Sequence, residues 1–303
     1  MNQEDQHDFH PFKSLQAKDE FLTYYDERSK EWPVDSETMY VNTSFGQTFM
    51  RICGPKNGPS LVLLPGDSVT SLDWIPLIEN LSKEYRTYAL DQIYDIGRSI
   101  YSRPIKKPED FTNWLDEVLI SLKLEDINLM GYSYGGWQAS LFALSHPERL
   151  NKLILLTPAT STPASSTRLR AIFRIILYAI IPVRYVVKNY IYWFMADSVR
   201  KNEETKKIID EMITENMLAR KCFKSRKFVN PTTLTDDDWQ SLDVPTLFLT
   251  GENEVLYSAK KAVQHLKNIT PNIRTAISSD AGHDLHIVKP DWVTTQVLKF
   301  LKE

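Results

Sequence analysis

Leu129-Met130-Gly131-Tyr132-Ser133-Tyr134-Gly135-Gly136-Trp137 is the stretch that decides the fold of this 303-residue chain. It contains the pattern G-x-S-x-G, with a short apolar segment before it at 126–130 and a segment rich in Ala, Leu and Phe after it at 137–146. This order predicts a strand, a sharp turn and a helix, with Ser133 at the tip of the turn. A serine there points its hydroxyl out at the carboxyl edge of a sheet, beside the positive end of the helix dipole. Ser133 is therefore the candidate nucleophile.

Apolar strands alternate with amphipathic helices on both sides of this turn. The unbroken apolar runs at 61–64 and 153–156 are typical of strands that are covered on both faces. The alternation predicts an α/β fold with a mostly parallel, eight-stranded sheet and helices on both faces. The helices of this core are predicted at 72–83, 108–122, 137–146, 258–267 and 290–301.

Two segments interrupt the alternation. Residues 1–39 are predicted to form an N-terminal arm with one amphipathic helix, which ends by Pro33. Residues 159–241 begin with a Ser/Thr/Pro-rich link and then have a helical pattern throughout. We interpret them as a helical cap, inserted between two late strands of a core formed by 40–158 and 242–303.

Composition argues against several classes of protein. The chain has 36 Lys and Arg against 39 Asp and Glu, so its net charge of −3 gives no basic field for binding nucleic acid. Cys53 and Cys222 are far apart and form no metal-type pair, which favours free thiols in a reducing compartment. Residues 1–10 show no signal peptide, and no apolar stretch is long enough to span a bilayer. We expect a cytoplasmic protein.

The most apolar part of the cap is 172–195. One interpretation is that its helices pack on the core and line an apolar pocket. The other is that it makes weak peripheral contact with a membrane through Arg184, Lys188, Tyr190 and Trp193. The sequence leaves both open.

A serine nucleophile needs a base, and the base needs an acid that orients it. In this kind of fold the chain order is Ser, acid, His, and each residue lies on a loop after a strand. Glu254 follows the apolar run at 246–250, and His283 follows the run that ends near 277. His283 is the candidate base and Glu254 the candidate acid.

Each of these candidates has a neighbour of the same type. His286 is three residues beyond His283 and is expected to point elsewhere. Glu252 is two residues before Glu254 and is expected to support the loop or to face solvent. The other histidines lie in the arm or on predicted helices.

When a serine attacks a carbonyl carbon, negative charge forms on the carbonyl oxygen. Two backbone N–H donors are needed to stabilise this charge, and together they form an oxyanion hole. One is expected from Tyr134, directly after the nucleophile. The other is expected from Asp67, in the loop Pro65-Gly66-Asp67-Ser68 after the run at 61–64. A carboxylate beside an oxyanion is unfavourable unless the Asp67 side chain turns away.

These motifs occur in an order that resembles the α/β-hydrolase superfamily with a helical cap, over about residues 38–303. They are Leu64-Pro65-Gly66, Asp91 with Gly97-Arg98-Ser99, the G-x-S-x-G stretch, Gly251-Glu252-Asn253-Glu254 and Ala281-Gly282-His283. More narrowly, the chain is similar to the carboxylesterase NP group in Glu31-Trp32-Pro33-Val34, Ser44-Phe45-Gly46-Gln47-Thr48 and Tyr85-Arg86-Thr87-Tyr88-Ala89. The resemblance implies an esterase with glutamate as the acid. The chain departs from the family pattern at Pro65-Gly66-Asp67, and the similarity fades in the cap.

The expected activity is cofactor-independent and metal-independent hydrolysis of small carboxylic esters with an apolar acyl or alcohol part. Serine at the turn argues against dehalogenase or epoxide-hydrolase chemistry, which needs a carboxylate nucleophile. Thioesterase, lactonase, C–C hydrolase and perhydrolase activities use the same three side chains and stay open. So does a small-ligand receptor on the same fold. The sequence does not indicate an oligomeric state.

Overall fold

A sheet of nine strands organises the computed structural model, which describes residues 10–159, 169–270 and 273–303. The strands in these ranges are β1 Glu37–Thr43, β2 Gly46–Cys53, β3 Ser60–Leu64, β4 Arg86–Leu90, β5 Ile100–Tyr101, β6 Ile127–Tyr132, β7 Leu150–Leu156, β8 Thr246–Gly251 and β9 Arg274–Ser278.

The strand order across the sheet is β1-β2-β4-β3-β6-β7-β8-β9, with β5 paired to β2. Pairs among β1, β2, β4 and β5 are antiparallel, and every pair from β4 to β9 is parallel. The predicted α/β fold with a mostly parallel sheet is confirmed. The predicted count of eight strands is wrong, because the two residues of β5 are too few to show any periodicity in the sequence.

Helices cover both faces of the sheet. Those of the core and arm are α1 Leu15–Ser29, α2 Ile75–Leu81, α3 Pro108–Leu122, α4 Tyr134–Ser145, α10 Ala259–Ile269, α11 Leu285–Val288 and α12 Pro290–Leu301. Between β7 and β8 lie α5 Leu169–Ile180, α6 Arg184–Phe194, α7 Ala196–Lys201, α8 Glu203–Cys222 and α9 Asp236–Gln240.

Alternate residues of the central strands enter two separate cores. Val62 and Leu64 of β3 pack with α3, α4 and α10, where Trp114 is fully buried. Leu61 and Leu63 of the same strand pack with α1, α2 and α12. This period of two, with both sets buried, explains why the parallel strands look like continuous apolar runs in the sequence.

Two predicted helical segments differ from the structure. The helix predicted at 72–83 is α2, which begins only at Ile75 after a 3-10 turn at Ser71–Trp74; Pro76 lies in its first turn, where the missing N–H costs nothing. The insertion was predicted to be helical throughout, yet residues 224–235 contain no helix, and Pro231 within them cannot donate to a helix. The Ser/Thr/Pro-rich link at 160–168 lies outside the described residues.

The predicted N-terminal helix packs against the second core. Phe21 and Tyr25 of α1 are fully buried, and Phe21 meets the ring of Phe223 at 4.7 Å between centroids. Phe12, just before the helix, forms a β-bridge with Phe223 at the end of α8. The arm therefore joins the inserted helices to the sheet.

The buried side of α1 is expected to contribute to the free energy of unfolding. Phe21→Ala is expected to lower the free energy of unfolding by about 3–5 kcal/mol, because it removes a buried ring and leaves a cavity. Urea unfolding followed by circular dichroism measures the change.

Leu15, also on α1, is the matched control because 56% of its surface is exposed. Leu15→Ala should change the free energy of unfolding by less than about 0.5 kcal/mol. Equal effects of the two variants would mean that α1 does not contribute its buried face to the core.

Candidate active site

Ser133 lies at a strained turn between β6 and α4. Its φ of 51° is in the left-handed region, which a non-glycine residue adopts at a cost in energy. Its N–H donates to Leu156 O at 3.0 Å, and its carbonyl accepts from Ala159 N at 2.8 Å. Bonds to the end of β7 and to the start of the loop that follows it therefore hold the strained residue in place.

Glycines allow neighbouring backbone to approach this turn. A Cβ on Gly131 would overlap the carbonyl oxygen of Gly135. A Cβ on Gly135 would overlap the carbonyl oxygens of Leu64 and Pro65, at the end of β3. Residues with side chains are excluded at both positions, and the loop after β3 passes directly beside the amino end of α4.

The structure brings the three predicted side chains into one hydrogen-bonded chain. His283 Nε2 lies 2.8 Å from Ser133 Oγ, and His283 Nδ1 lies 2.9 Å from Glu254 Oε2. Glu254 follows β8, and His283 follows β9, so parallel strands deliver both to the edge where Ser133 lies. The second oxygen of Glu254 accepts from Leu256 N at 2.9 Å, which fixes the carboxylate plane.

The neighbouring residues of the same type are used differently. Glu252 is exposed and pairs with Lys260 at 2.8 Å. His286 is buried with its Nε2 3.3 Å from Asp73 Oδ1, and its ring lies 4.2 Å from that of Tyr132. Neither side chain is hydrogen-bonded to His283 or Ser133.

Aromatic rings shield the imidazole of His283 from water. Phe194, at the end of α6, lies 4.2 Å from it between ring centroids, and Tyr132 lies 5.4 Å from it. Both His283 and Glu254 are almost completely buried. In such a low-dielectric setting a hydrogen bond between a carboxylate and an imidazole is stronger than it is in water.

The two predicted backbone donors lie on adjacent segments. Tyr134 is the first residue of α4, so its N–H has no acceptor within the helix. The N–H of Asp67 makes no hydrogen bond to the described part of the chain. Gln138 Nε2 donates to Gln92 Oε1 at 2.8 Å, and Gln92 Nε2 donates to Pro65 O at 2.6 Å, so a buried amide chain ties the Asp67 loop to α4.

The carboxylate of Asp67 is held by an arginine from the insertion. Arg226 Nη2 lies 2.6 Å from Asp67 Oδ1 and 2.7 Å from Asp95 Oδ1. Asp95 also accepts from the N–H of Ser68 at 2.9 Å, next to Asp67 in the loop. Burial raises the pKa of Asp95, and the Arg226 cation opposes that rise. The Asp67 carboxylate is therefore paired with a cation, which it shares with Asp95.

Sequence reasoning missed several residues that support the site. Gln92 could have been suspected, because it follows β4 at the same sheet edge. Arg226 and Phe194 gave no signal, since their partners are far away in the chain. Arg226 and Asp67, for example, are 159 positions apart.

The part of the chain that the structure describes contains neither a cluster of metal ligands nor a membrane-spanning helix. No group of three or more His, Cys, Asp or Glu side chains in 10–159, 169–270 and 273–303 is arranged to hold a metal ion. In the same ranges no helix has the length and apolar character needed to cross a membrane.

Known proteins resemble this chain in sequence and in structure. Residues 59–179 match the family described as alpha/beta hydrolase fold. Carboxylesterase YbfK of Bacillus subtilis is 32% identical over 96% of each chain. The crystal structure of that carboxylesterase, CesB (YbfK), superposes with a TM-score of 0.83 over 95% of this chain and 99% of the other. Naproxen esterase (carboxylesterase NP) from the same organism has a TM-score of 0.84 at 27% identity, over 95% of this chain and 99% of that chain.

The strained serine turn, the strand order and these similarities define the class of protein. The chain belongs to the α/β-hydrolase family, in the group that contains the Bacillus carboxylesterases. The resemblance drawn from the sequence is confirmed.

Arg226 generates a prediction about stability and pH. Arg226→Gln leaves two carboxylates without their cation, and we expect it to lower the free energy of unfolding by about 3–5 kcal/mol. Because the pKa of Asp95 is already raised in the folded state, removing the cation raises it further. The native state then holds a proton that the unfolded state loses, so the destabilisation must grow as pH rises. Urea unfolding at about pH 5 and about pH 8 tests this.

Arg200, exposed on α7, provides the matched control. Arg200→Gln should change stability by less than about 0.5 kcal/mol at either pH. Adding Asp67→Asn to Arg226→Gln should restore part of the loss. A loss that is the same at both pH values would contradict the role given to Arg226.

Proposed function

We propose that this protein is a serine carboxylesterase in which Ser133 is the nucleophile, His283 the base and Glu254 the orienting acid. The observation that carries the proposal is the continuous hydrogen bonding from Glu254 through His283 to Ser133, at 2.9 and 2.8 Å. Such a chain lets one proton move between serine and imidazole without any rearrangement.

In the first half of the reaction Ser133 attacks the ester carbonyl. His283 Nε2 takes the hydroxyl proton while Oγ forms a bond to the carbonyl carbon, and the carbonyl oxygen becomes an oxyanion. The tetrahedral intermediate then breaks its bond to the alcohol oxygen. The alcohol leaves with the proton that His283 returns, and the acyl group stays on Ser133.

In the second half water takes the place of the alcohol. His283 accepts a proton from the water, whose oxygen attacks the acyl carbon, and the proton then returns to Ser133 as the carboxylic acid departs. Ester, water, serine and imidazole account for every bond formed and broken. The proposed reaction therefore requires no cofactor.

Glu254 acts on the imidazole rather than on the substrate. An acceptor at Nδ1 keeps the proton on that nitrogen, which leaves Nε2 free to accept from Ser133, and it stabilises the imidazolium that forms. The oxyanion is assigned to the N–H groups of Tyr134 and Asp67. The ion pair of Asp67 with Arg226 supports this assignment, because it removes a free negative charge from beside the oxyanion.

The substrates proposed are small esters with an apolar acyl or alcohol part. Phe194 against His283 supports this, since one wall of the site is an aromatic ring. Tyr190 stacks on Phe194 at 5.5 Å and extends that wall into the inserted helices. We propose that residues 159–241 form a cap over a core of 40–158 and 242–303. The cytoplasmic location and the lack of nucleic-acid binding stay predictions.

Ser133→Ala tests the nucleophile. With short-chain p-nitrophenyl esters, kcat should fall by about a million-fold, because no other group can form the acyl intermediate. The control is Ser145→Ala, at the opposite end of α4, which should retain the wild-type kcat. A folded Ser133→Ala protein with wild-type turnover would disprove the assignment.

Glu254→Gln tests the orienting acid. Replacing the carboxylate by an amide should lower kcat by about ten-thousand-fold, since the imidazole loses both its anion and its fixed tautomer. Glu252→Gln alters the glutamate two positions earlier, at the protein surface, and kcat should stay near its wild-type value. If Glu252→Gln were the more damaging change, the acid would have to be reassigned.

A further inference from the structure

Helix α5 exposes its apolar stripe instead of burying it. Ile172, Ile176 and Ile180 recur every four residues along one face, and between 41% and 71% of each is exposed. Phe173 on the same side is 67% exposed. Apolar residues at this spacing normally face the core of a globular protein. Their exposure here indicates that this face binds another apolar surface.

The stripe continues across the connection into α6. Val183 and Tyr185 are also exposed, the latter to 75%. A groove of about 680 Å³ lies between the two helices and is lined by Phe173 of α5 and Tyr185 of α6. We call the patch the α5–α6 surface and define it by Ile172, Phe173, Ile176, Ile180, Val183 and Tyr185. It is larger than the isolated apolar residues that protein surfaces usually carry.

Every charged side chain in α5, α6 and the connection between them is positive. Residues 169–196 contain four basic residues and no acidic one, in a chain whose net charge is −3. Arg174, Arg184 and Lys188 are exposed. Arg174 lies over the ring of Trp193 at 4.9 Å and Lys188 over that of Tyr192 at 4.8 Å, so both cations stay beside apolar surface.

We propose that the α5–α6 surface docks on an anionic lipid membrane. Amphipathic helices that bind bilayer surfaces combine exposed large apolar side chains with Lys and Arg, because the apolar side chains enter the headgroup region while the cations are attracted to anionic lipids. The surface has both features. The inference stands apart from the esterase chemistry, since neither feature involves the proposed nucleophile, base or acid.

A second copy of the chain fits this surface less well. In a two-fold interface the same patch lies on both sides, so the arginines and lysine of one copy would face those of the other with no acidic residue among 169–196 to pair with them. An anionic membrane satisfies the same charges.

The residues that form the surface differ from those expected from the sequence. Arg184 and Lys188 are exposed as that expectation requires. Tyr190 is instead stacked on Tyr178, with 4.2 Å between ring centroids, and Trp193 packs against the core. The aromatic contribution comes from Phe173 and Tyr185. Helix α6 also ends at Phe194 beside His283, so one helix joins the proposed docking surface to the active site.

Co-sedimentation with vesicles tests the proposal. The full chain is mixed with vesicles of phosphatidylcholine alone or of equal parts phosphatidylcholine and phosphatidylglycerol. Binding is expected to the mixed vesicles, and it should fall with added salt. The double variant Arg184→Glu with Lys188→Glu should weaken that binding by about tenfold or more. Phe173→Ser with Ile176→Ser should weaken it by about tenfold as well.

Matched variants outside the α5–α6 surface show whether a loss of vesicle binding is specific to that surface or follows from any similar substitution. Ile120→Ser on α3, where the side chain is 54% exposed, and Lys56→Glu in the loop after β2 should bind as the wild type does. All variants should keep the wild-type kcat on a water-soluble ester, which shows that they are folded. Binding that the surface variants leave unchanged would overturn the proposal, as would no binding to mixed vesicles. A dimer in light scattering that Phe173→Ser dissociates would assign the surface to a second copy instead.

Discussion

The left-handed backbone at Ser133 is the constraint on which the rest of the structure depends. An L-residue adopts that conformation only where surrounding interactions compensate for the strain. Here backbone hydrogen bonds to β7 and its following loop do so. Gly131 and Gly135 let β3, β6 and α4 approach closely enough for those bonds. The same approach places the loop after β3 beside the amino end of α4, where both proposed oxyanion donors lie.

Burial strengthens the hydrogen bonds and the ion pairs of the site. Glu254 and His283 are nearly inaccessible to water, and each is satisfied by a hydrogen bond rather than by solvent. Asp95 is also buried, and Arg226 supplies its counter-charge. Because Arg226 comes from the insertion, and Asp67 and Asp95 from the core, an ion pair joins the two parts at the loop that the proposed oxyanion hole needs. The stability of the insertion and the geometry of the site are therefore connected.

The parts of the structure that local patterns encode could be predicted from the sequence. Helices α3 and α12 begin where prolines mark a first turn, and both were predicted with their observed bounds. The order of Ser133, Glu254 and His283 after strands predicts a shared site, and the fold brings them together. Strand β5 was missed because two residues carry no period. Arg226 and Phe194 were missed because only tertiary packing decides what they contact.

The central claim is that buried hydrogen bonds from Glu254 through His283 make Ser133 the nucleophile. Active-site labelling tests this claim most directly. The protein is treated with diisopropyl fluorophosphate, and the adduct is located by mass spectrometry of its peptides while esterase activity is followed. The account predicts one adduct per chain, on the peptide that contains Ser133, formed in step with the loss of activity. Full inactivation with the adduct on another residue, or full activity with Ser133 modified, would contradict it.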